Sequence, residues 1–381
     1  MTIKQEGKKY ISLIIKPTDA CNLRCKHCYA AETGYSAEQM SLETARKIFN
    51  LFAKDYDEIR IIWHGGEPLL MGLDFYKEIV KLQCEYSEKK FVNDIQSNAT
   101  LITDEWIDFF VENEIKMGFS FDGQYNDVLR SQTKQVLRAI NLMKSKGYRS
   151  GAICVVSSKT ADKLIDIYEF FKCIGISYKI SPMFQAGEAK KHSMLALSTN
   201  KYVKHFLDFF KYWLEDTTCN IDVNYALDYV AQYLGKRETL CTNTSCLTRW
   251  LGIHFNGDIY PCGREYPEEY NLGNISDFES AKDIFLTENY QRLLAGAIKR
   301  RDDCKAKCKL YDKCFGGCNN SAILEGDISK SGFQECKIYK KLYKEITAIL
   351  DKKFVGSLDE MPNLNPTIKK IKIKKEEVEW N

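Results

Sequence analysis

Residues 11–30 read ISLIIKPTDACNLRCKHCYA. The opening apolar run, Ile11–Ile15, is rich in β-branched residues and reads as a buried strand. It leads directly into a loop carrying Cys21, Cys25 and Cys28 at C-x3-C-x2-C spacing. Three thiolates fall short of the four ligands that fill a cubane cluster or a structural zinc site. His27 could be a fourth ligand to zinc, but its place between two ligands makes that geometry cramped. The alternative is a four-iron cluster with one iron left open for a small molecule. Open coordination is what a catalytic metal needs and a structural one avoids.

Working outward, apolar runs recur at Ile59–Trp63, Phe91–Gln96, Lys116–Phe121, Ala152–Val156 and Ser177–Pro182. Amphipathic segments lie between them: Leu42–Lys54, Asp74–Cys84, Asp104–Glu112, Gln135–Lys146 and Ala161–Cys173. Strands alternating with helices at roughly 25–45-residue spacing predict βαβ units and a parallel sheet. Six units predict an α/β fold with a partial (β/α)6 TIM-like barrel, whose active site lies at the carboxyl ends of the strands. Helices are expected near Tyr202–Leu214, Tyr225–Leu234 and Ile338–Leu350. The stretch Leu240–Cys336 has little periodicity, as expected where metal clusters replace part of a core. The Lys- and Glu-dense end, Lys369–Asn381, is expected to be a solvated tail or an edge strand.

The chain has 381 residues and 15 cysteines. A disulfide framework suits small secreted chains, and no export signal is legible here. Three cysteines fall between 21 and 28 and eight between 241 and 336, and such clustering in a reducing compartment points to metal ligation. The eight are Cys241, Cys246, Cys262, Cys304, Cys308, Cys314, Cys318 and Cys336, two sets of four. Zinc ribbons favour paired C-x2-C knuckles, whereas the last five are separated by gaps of 3, 5, 3 and 17 residues. A formal net charge of +3 gives no strong electrostatic case for nucleic acid. With no apolar run approaching 18 residues, a cytoplasmic protein with no membrane partner is expected.

The loop Cys21–Cys28 resembles the C-x3-C-x-(aromatic)-C motif of the radical SAM superfamily, with His27 at the aromatic position. Three further segments resemble that family's motifs in register. Gly65-Gly66-Glu67-Pro68 is similar to its GGEP loop, Gln96-Ser97-Asn98-Ala99 to its QTNG segment and Ser120-Phe121-Asp122-Gly123 to its S-x-D-G turn. The resemblance implies that the open iron binds S-adenosylmethionine (SAM) and that the reduced cluster cleaves it to a 5′-deoxyadenosyl radical. It implies SAM contacts from His27, Gly65, Gly66, Glu67, Pro68, Asn98 and Ser120. Arg130 would meet the SAM carboxylate, and strand five an adenine.

The eight later cysteines resemble the SPASM extension of radical SAM maturases, with Gly257 to Cys262 as its Gly-x4-Cys turn and a run ending CFGGC. By that resemblance Cys241, Cys246, Cys262 and Cys318 hold one auxiliary [4Fe-4S] cluster. Cys304, Cys308, Cys314 and Cys336 hold the other, making three clusters in all. The three residues between Cys304 and Cys308, where relatives have two, put that local geometry in question. The expected division is a barrel over 1–215, a SPASM domain over 216–345 and a helix end with a charged tail over 346–381.

SPASM-bearing enzymes imply a peptide or protein substrate and an electron donor such as flavodoxin or ferredoxin. The expected function is maturation of a ribosomally made peptide by a thioether or C–C crosslink or related change. Anaerobic sulfatase maturation, which makes formylglycine, is the alternative; a non-catalytic iron–sulfur electron carrier is another. Sulfatase-maturing enzymes place an aspartate base after the cysteine equivalent to Cys262, where this chain has Gly263, followed by Arg264 and Glu265. Among the remaining thiols, Cys219 is a candidate hydrogen-atom donor.

Overall fold

The computed structural model describes residues 9–29, 37–235, 246–354 and 364–371. Cys241 and residues 372–381 of the charged tail lie outside the described residues.

Six strands follow the chain in order: β1 (Tyr10–Ile15), β2 (Glu58–Trp63), β3 (Lys90–Ser97), β4 (Lys116–Ser120), β5 (Gly151–Val156) and β6 (Tyr178–Pro182). Each pairs in parallel with the next. Five crossover helices return the chain: α1 (Leu42–Ala53), α2 (Leu73–Cys84), α3 (Asp104–Glu112), α4 (Thr133–Ser145) and α5 (Leu164–Cys173). Helix α1 shows the local logic. The Ser41 side chain accepts from the Thr44 amide at 3.0 Å, which satisfies one orphan donor of the first turn. Ala45, Ile48, Phe49 and Phe52 then form a buried stripe at helical spacing. That stripe meets the alternate strand residues Ile11, Leu13, Ile15, Ile59, Ile61 and Trp63, all buried.

After β6 come α6 (Thr199–Leu214), the two-residue strand β7 (Val223–Asn224) and α7 (Ala226–Tyr233). A short helix α8 (Cys246–Arg249) precedes β8 (Trp250–Ile253) and β9 (Ile259–Tyr260). The remaining helices are α9 (Glu288–Lys307), α10 (Tyr311–Cys314), α11 (Asn319–Leu324), α12 (Gln334–Lys353) and α13 (Pro366–Lys369). The sheet order is β7-β6-β5-β4-β3-β2-β1-β8-β9. Strand β8 pairs in parallel with β1, so the cysteine-rich region continues the barrel's own sheet. One hydrophobic core runs through both regions.

The helix expected over Ile338–Leu350 is the middle of α12, which packs along α6 and α7. The stretch expected to lack periodicity contains α9, a 20-residue helix. Its stripe of Tyr290, Leu293, Ala297, Arg300 and Cys304 is buried at spacings of three and four, with an arginine and a cysteine where apolar residues are usual. Just ahead of the charged tail, Leu364 and Ile368 are buried, and Asn365 Nδ2 donates to the Trp213 carbonyl at 2.8 Å.

Candidate active site

The carboxyl ends of β1 to β6 open on one cavity of about 250 Å³. Cys21, Cys25 and Cys28 line it from the loop after β1. Gly65 and Gly66 enter from the loop after β2, Asn98 from the end of β3, Ser120 from β4 and Arg130 from the segment that follows. Ile153 and Val155 supply an apolar wall from β5. His27 also lines it, and its buried Nδ1 is without a hydrogen-bond partner.

The glycine pair has a cause within the chain. A Cβ on Gly66 would lie 2.1 Å from the Ala20 carbonyl oxygen, and one on Gly65, whose φ is +112°, 2.4 Å from that of Thr18. The glycines therefore let this loop press against the cysteine-bearing loop, where Gly66 N donates to Thr18 O and Glu67 N to Ala20 O.

Glu67 and Pro68 are not among the residues that line the cavity. The fully buried Glu67 carboxylate accepts from Asn98 N at 2.7 Å, Ser97 Oγ at 2.8 Å and Leu69 N at 3.1 Å. It fixes the turn that presents Asn98, whose Nδ2 donates to Asn22 Oδ1 at 2.8 Å. Burial pushes the Glu67 carboxyl up to about 7 against those hydrogen bonds. The neighbouring His64 is driven down to about 4 by burial and by Lys16.

Arg130 is held from behind. Its Nε donates to Asp122 Oδ2 at 3.0 Å, and Asp122 Oδ1 accepts from Val155 N at 2.7 Å. Both partners are buried. Such a pair keeps the guanidinium's outer edge pointed at the cavity and is costly to break from one side. Asp122 was named only as part of a turn, and this anchoring role has no local sequence signal. Gln96 likewise lines the cavity, with Nε2 3.4 Å from Ser120 Oγ.

The later thiols separate into two groups. Tyr266 faces Cys262, Cys318 and Cys246, and Asn319 Nδ2 donates to Cys246 Sγ at 3.3 Å. Cys304, Cys308, Cys314 and Cys336 line a second, smaller cavity, and Cys318 reaches it too. Cys304 lies in the last turn of α9 and Cys308 caps it, with the Cys308 amide bonded to the Cys304 carbonyl at 2.8 Å. The unusual gap thus puts both thiols on one helix face. Among the described residues no three His, Cys, Asp or Glu side chains converge as ligands of a single ion do. Rings of thiols around small cavities, with amide and guanidinium donors among them, fit clusters in which each thiolate meets its own iron.

A third cavity, of about 330 Å³, adjoins the first. Ser181, Pro182, Met183, Phe184 and Arg264 line both. Its far side is made by Tyr225, Glu335 and Ile338. Cys219 does not line it. Its Sγ donates to the Ile221 carbonyl beside the start of β6, at the opposite end of the strands, so the hydrogen-donor role considered for it has no geometric basis.

The family model of the radical SAM superfamily matches residues 15–171, and that of the SPASM iron–sulfur cluster-binding domain matches residues 241–319. The chain belongs to the radical SAM superfamily. Its cofactors are accordingly SAM and [4Fe-4S] clusters. A cysteine-type anaerobic sulfatase-maturating enzyme of Clostridium perfringens is 26% identical over 88% of this chain and 95% of its own. A serine-type enzyme of Bacteroides thetaiotaomicron is 27% identical over 90% of this chain and 91% of its own. The solved structure of native anSMEcpe with bound AdoMet and Cp18Cys peptide superposes with a TM-score of 0.78 at 26% identity, covering 90% of this chain and 98% of that one. No helix among the described residues of this radical SAM enzyme is long and apolar enough to cross a membrane.

Proposed function

We propose that this radical SAM enzyme matures a ribosomally made peptide, taking a hydrogen atom from it and closing a thioether or C–C crosslink. Cys21, Cys25 and Cys28 would hold the SAM-binding cluster. Cys246, Cys262 and Cys318 would serve one auxiliary cluster, with Cys241 outside the described residues; Cys304, Cys308, Cys314 and Cys336 would serve the other. When bound, SAM and its cluster supply the 5′-deoxyadenosyl radical. The chain's own part is to place the reactants. Arg130, fixed by Asp122, offers its guanidinium to a carboxylate, and Asn98 and His27 offer polar contacts beside the thiols. The adjoining cavity, continuous through Ser181 to Phe184, gives a peptide a path to the same point. A peptide-bound relative of similar fold supports that use of the cavity.

One observation carries the choice of crosslinking over formylglycine formation. Where the sulfatase-maturing pattern puts its base, Gly263 packs on β1 so tightly that a Cβ would lie 2.2 Å from Ile14 Cγ2. The nearby Glu265 does not replace that base, because its carboxylate is ion-paired with the buried Lys16 and lines neither cavity. The likeness of the whole chain to sulfatase-maturating enzymes favours the second reading, oxidation of a Cys or Ser. The test is an anaerobic assay with SAM and dithionite, offering Cys-containing peptides encoded beside the gene and a sulfatase-derived Cys peptide. Loss of two hydrogens with sulfur retained supports crosslinking. An aldehyde product with sulfur lost from the sulfatase peptide would establish the second reading.

A further inference from the structure

Arg264 has a place that no role described so far uses. Its backbone amide donates to Cys262 Sγ at 3.5 Å, and its Nη1 donates to Cys318 Sγ at 3.5 Å and Ser321 Oγ at 3.2 Å. The guanidinium carbon sits 4.7 Å from the centre of the Phe184 ring. Ser321 is itself fixed, donating to Glu335 Oε2 at 2.5 Å. The side chain is thus clamped from several sides at the junction of the two large cavities, with one N–H aimed at a thiol.

The two thiol groups differ in this respect. Two arginines of α9 lie near the second group. Arg301 has a buried Nε with no hydrogen-bond partner. Arg300 is fully buried and commits its fork to oxygens: Nε to Gly316 O at 3.0 Å, Nη2 to Asn319 Oδ1 at 2.5 Å, and Nη1 to Ile328 O. Around Cys304 and Cys314 the donors are the Ser331 hydroxyl and the Gly316 amide, both neutral. A charged donor to a thiolate sulfur is stronger than a neutral one. Donors to sulfur and nearby positive charge stabilise the more negative, reduced form of a cluster and raise its potential.

We propose that Arg264 is a redox-positioning residue: held between Phe184 and Ser321, it donates to Cys318 and raises the reduction potential of the cluster served by Cys246, Cys262 and Cys318. The cluster of Cys304, Cys308, Cys314 and Cys336 lacks this donor. The proposal rests on the ligand assignment above. Reduction here is the gain of one electron by the cluster from dithionite, with no bond made or broken in the protein.

The test uses the full chain with Cys21, Cys25 and Cys28 replaced by Ala, so that only auxiliary clusters are reconstituted. Iron is counted, and anaerobic dithionite titrations are followed by electron paramagnetic resonance with Arg264 intact, as Arg264→Met and as Arg264→Lys. The expected result is two separable midpoints, of which Arg264→Met lowers one and leaves the other in place. Arg264→Lys, which keeps the charge but not the fork, lowers the same midpoint by less. Full iron in Arg264→Met with neither midpoint moved, or with both moved equally, overturns the proposal. Should Arg264→Met lose iron, Arg264→Lys decides, and an unmoved midpoint at full iron is the overturning result. Absence of auxiliary iron in the parent chain would instead refute the ligand assignment.

Discussion

At the scale of single residues, the site is built by groups that never reach the cavity. Glu67 is the clearest case, since three donors from the turn around Asn98 and from Leu69 end on its carboxylate. Truncation to Ala leaves those donors buried and unpartnered, at a cost of about 2 kcal/mol or more. Chemical denaturation should show that loss together with weakened SAM binding. The raised acidity constant adds a pH signature. Between about pH 4.5 and 7 native Glu67 retains a proton that the unfolded chain has released. Stability therefore falls as pH rises through that window. Glu67→Gln, which cannot titrate, should lack that slope in denaturation curves collected from pH 5 to 8. Gly66→Ala should cost about 10²-fold in SAM cleavage, because displacing the cysteine loop by an ångström misplaces the reactants. Production of 5′-deoxyadenosine measures it.

At the scale of elements, the strands and crossover helices of the barrel were legible because their apolar periodicity is strong. Ile59, Ile61 and Trp63 alternate inward as predicted, and Ala45, Ile48, Phe49 and Phe52 form the expected stripe. Helix α9 was not legible, since its inward face carries Arg300 and Cys304 where a pattern search wants apolar side chains. The anchors of the site were equally hidden. Lys16 and Glu265 lie 249 positions apart, and no local pattern announces their pairing. Arg300 makes the point testable. It ties α9 to the Gly316 and Ile328 carbonyls and to Asn319. Arg300→Met should lower stability by about 3 kcal/mol or more, since several buried acceptors lose their donor. Iron content should fall with it, and the two measured together distinguish this from a surface change.

At the scale of the whole molecule, the thiols of the first loop line one cavity and those of the last group another, with Cys246 and Cys262 beside Tyr266. Replacing Cys21, Cys25 and Cys28 by Ala should abolish SAM cleavage and reduce reconstituted iron from about twelve to about eight per chain. Unchanged iron in that variant would refute the assignment of those thiols. The partition of the later cysteines is what the resemblance implies; in the structure Cys318 lies between the two sets, beside Tyr266 with Cys262 and also on the cavity of Cys304, Cys308, Cys314 and Cys336. The adjoining cavity could not be read from sequence. It is assembled from β6, the turn carrying Arg264 and helix α12, brought together by the fold alone.

The pairing of β8 with β1 has a practical consequence for anyone wishing to build hybrids of this enzyme. A barrel cut free of its iron-rich partner would expose the backbone of β1 along Ser12–Ile15 as an unguarded seam. Expressed alone, residues 1–235 should therefore self-associate, and light scattering would reveal it. Grafting a foreign cysteine-rich half onto this barrel requires a matching strand as well as matching ligands, so substrate preference cannot be exchanged as a detachable cassette.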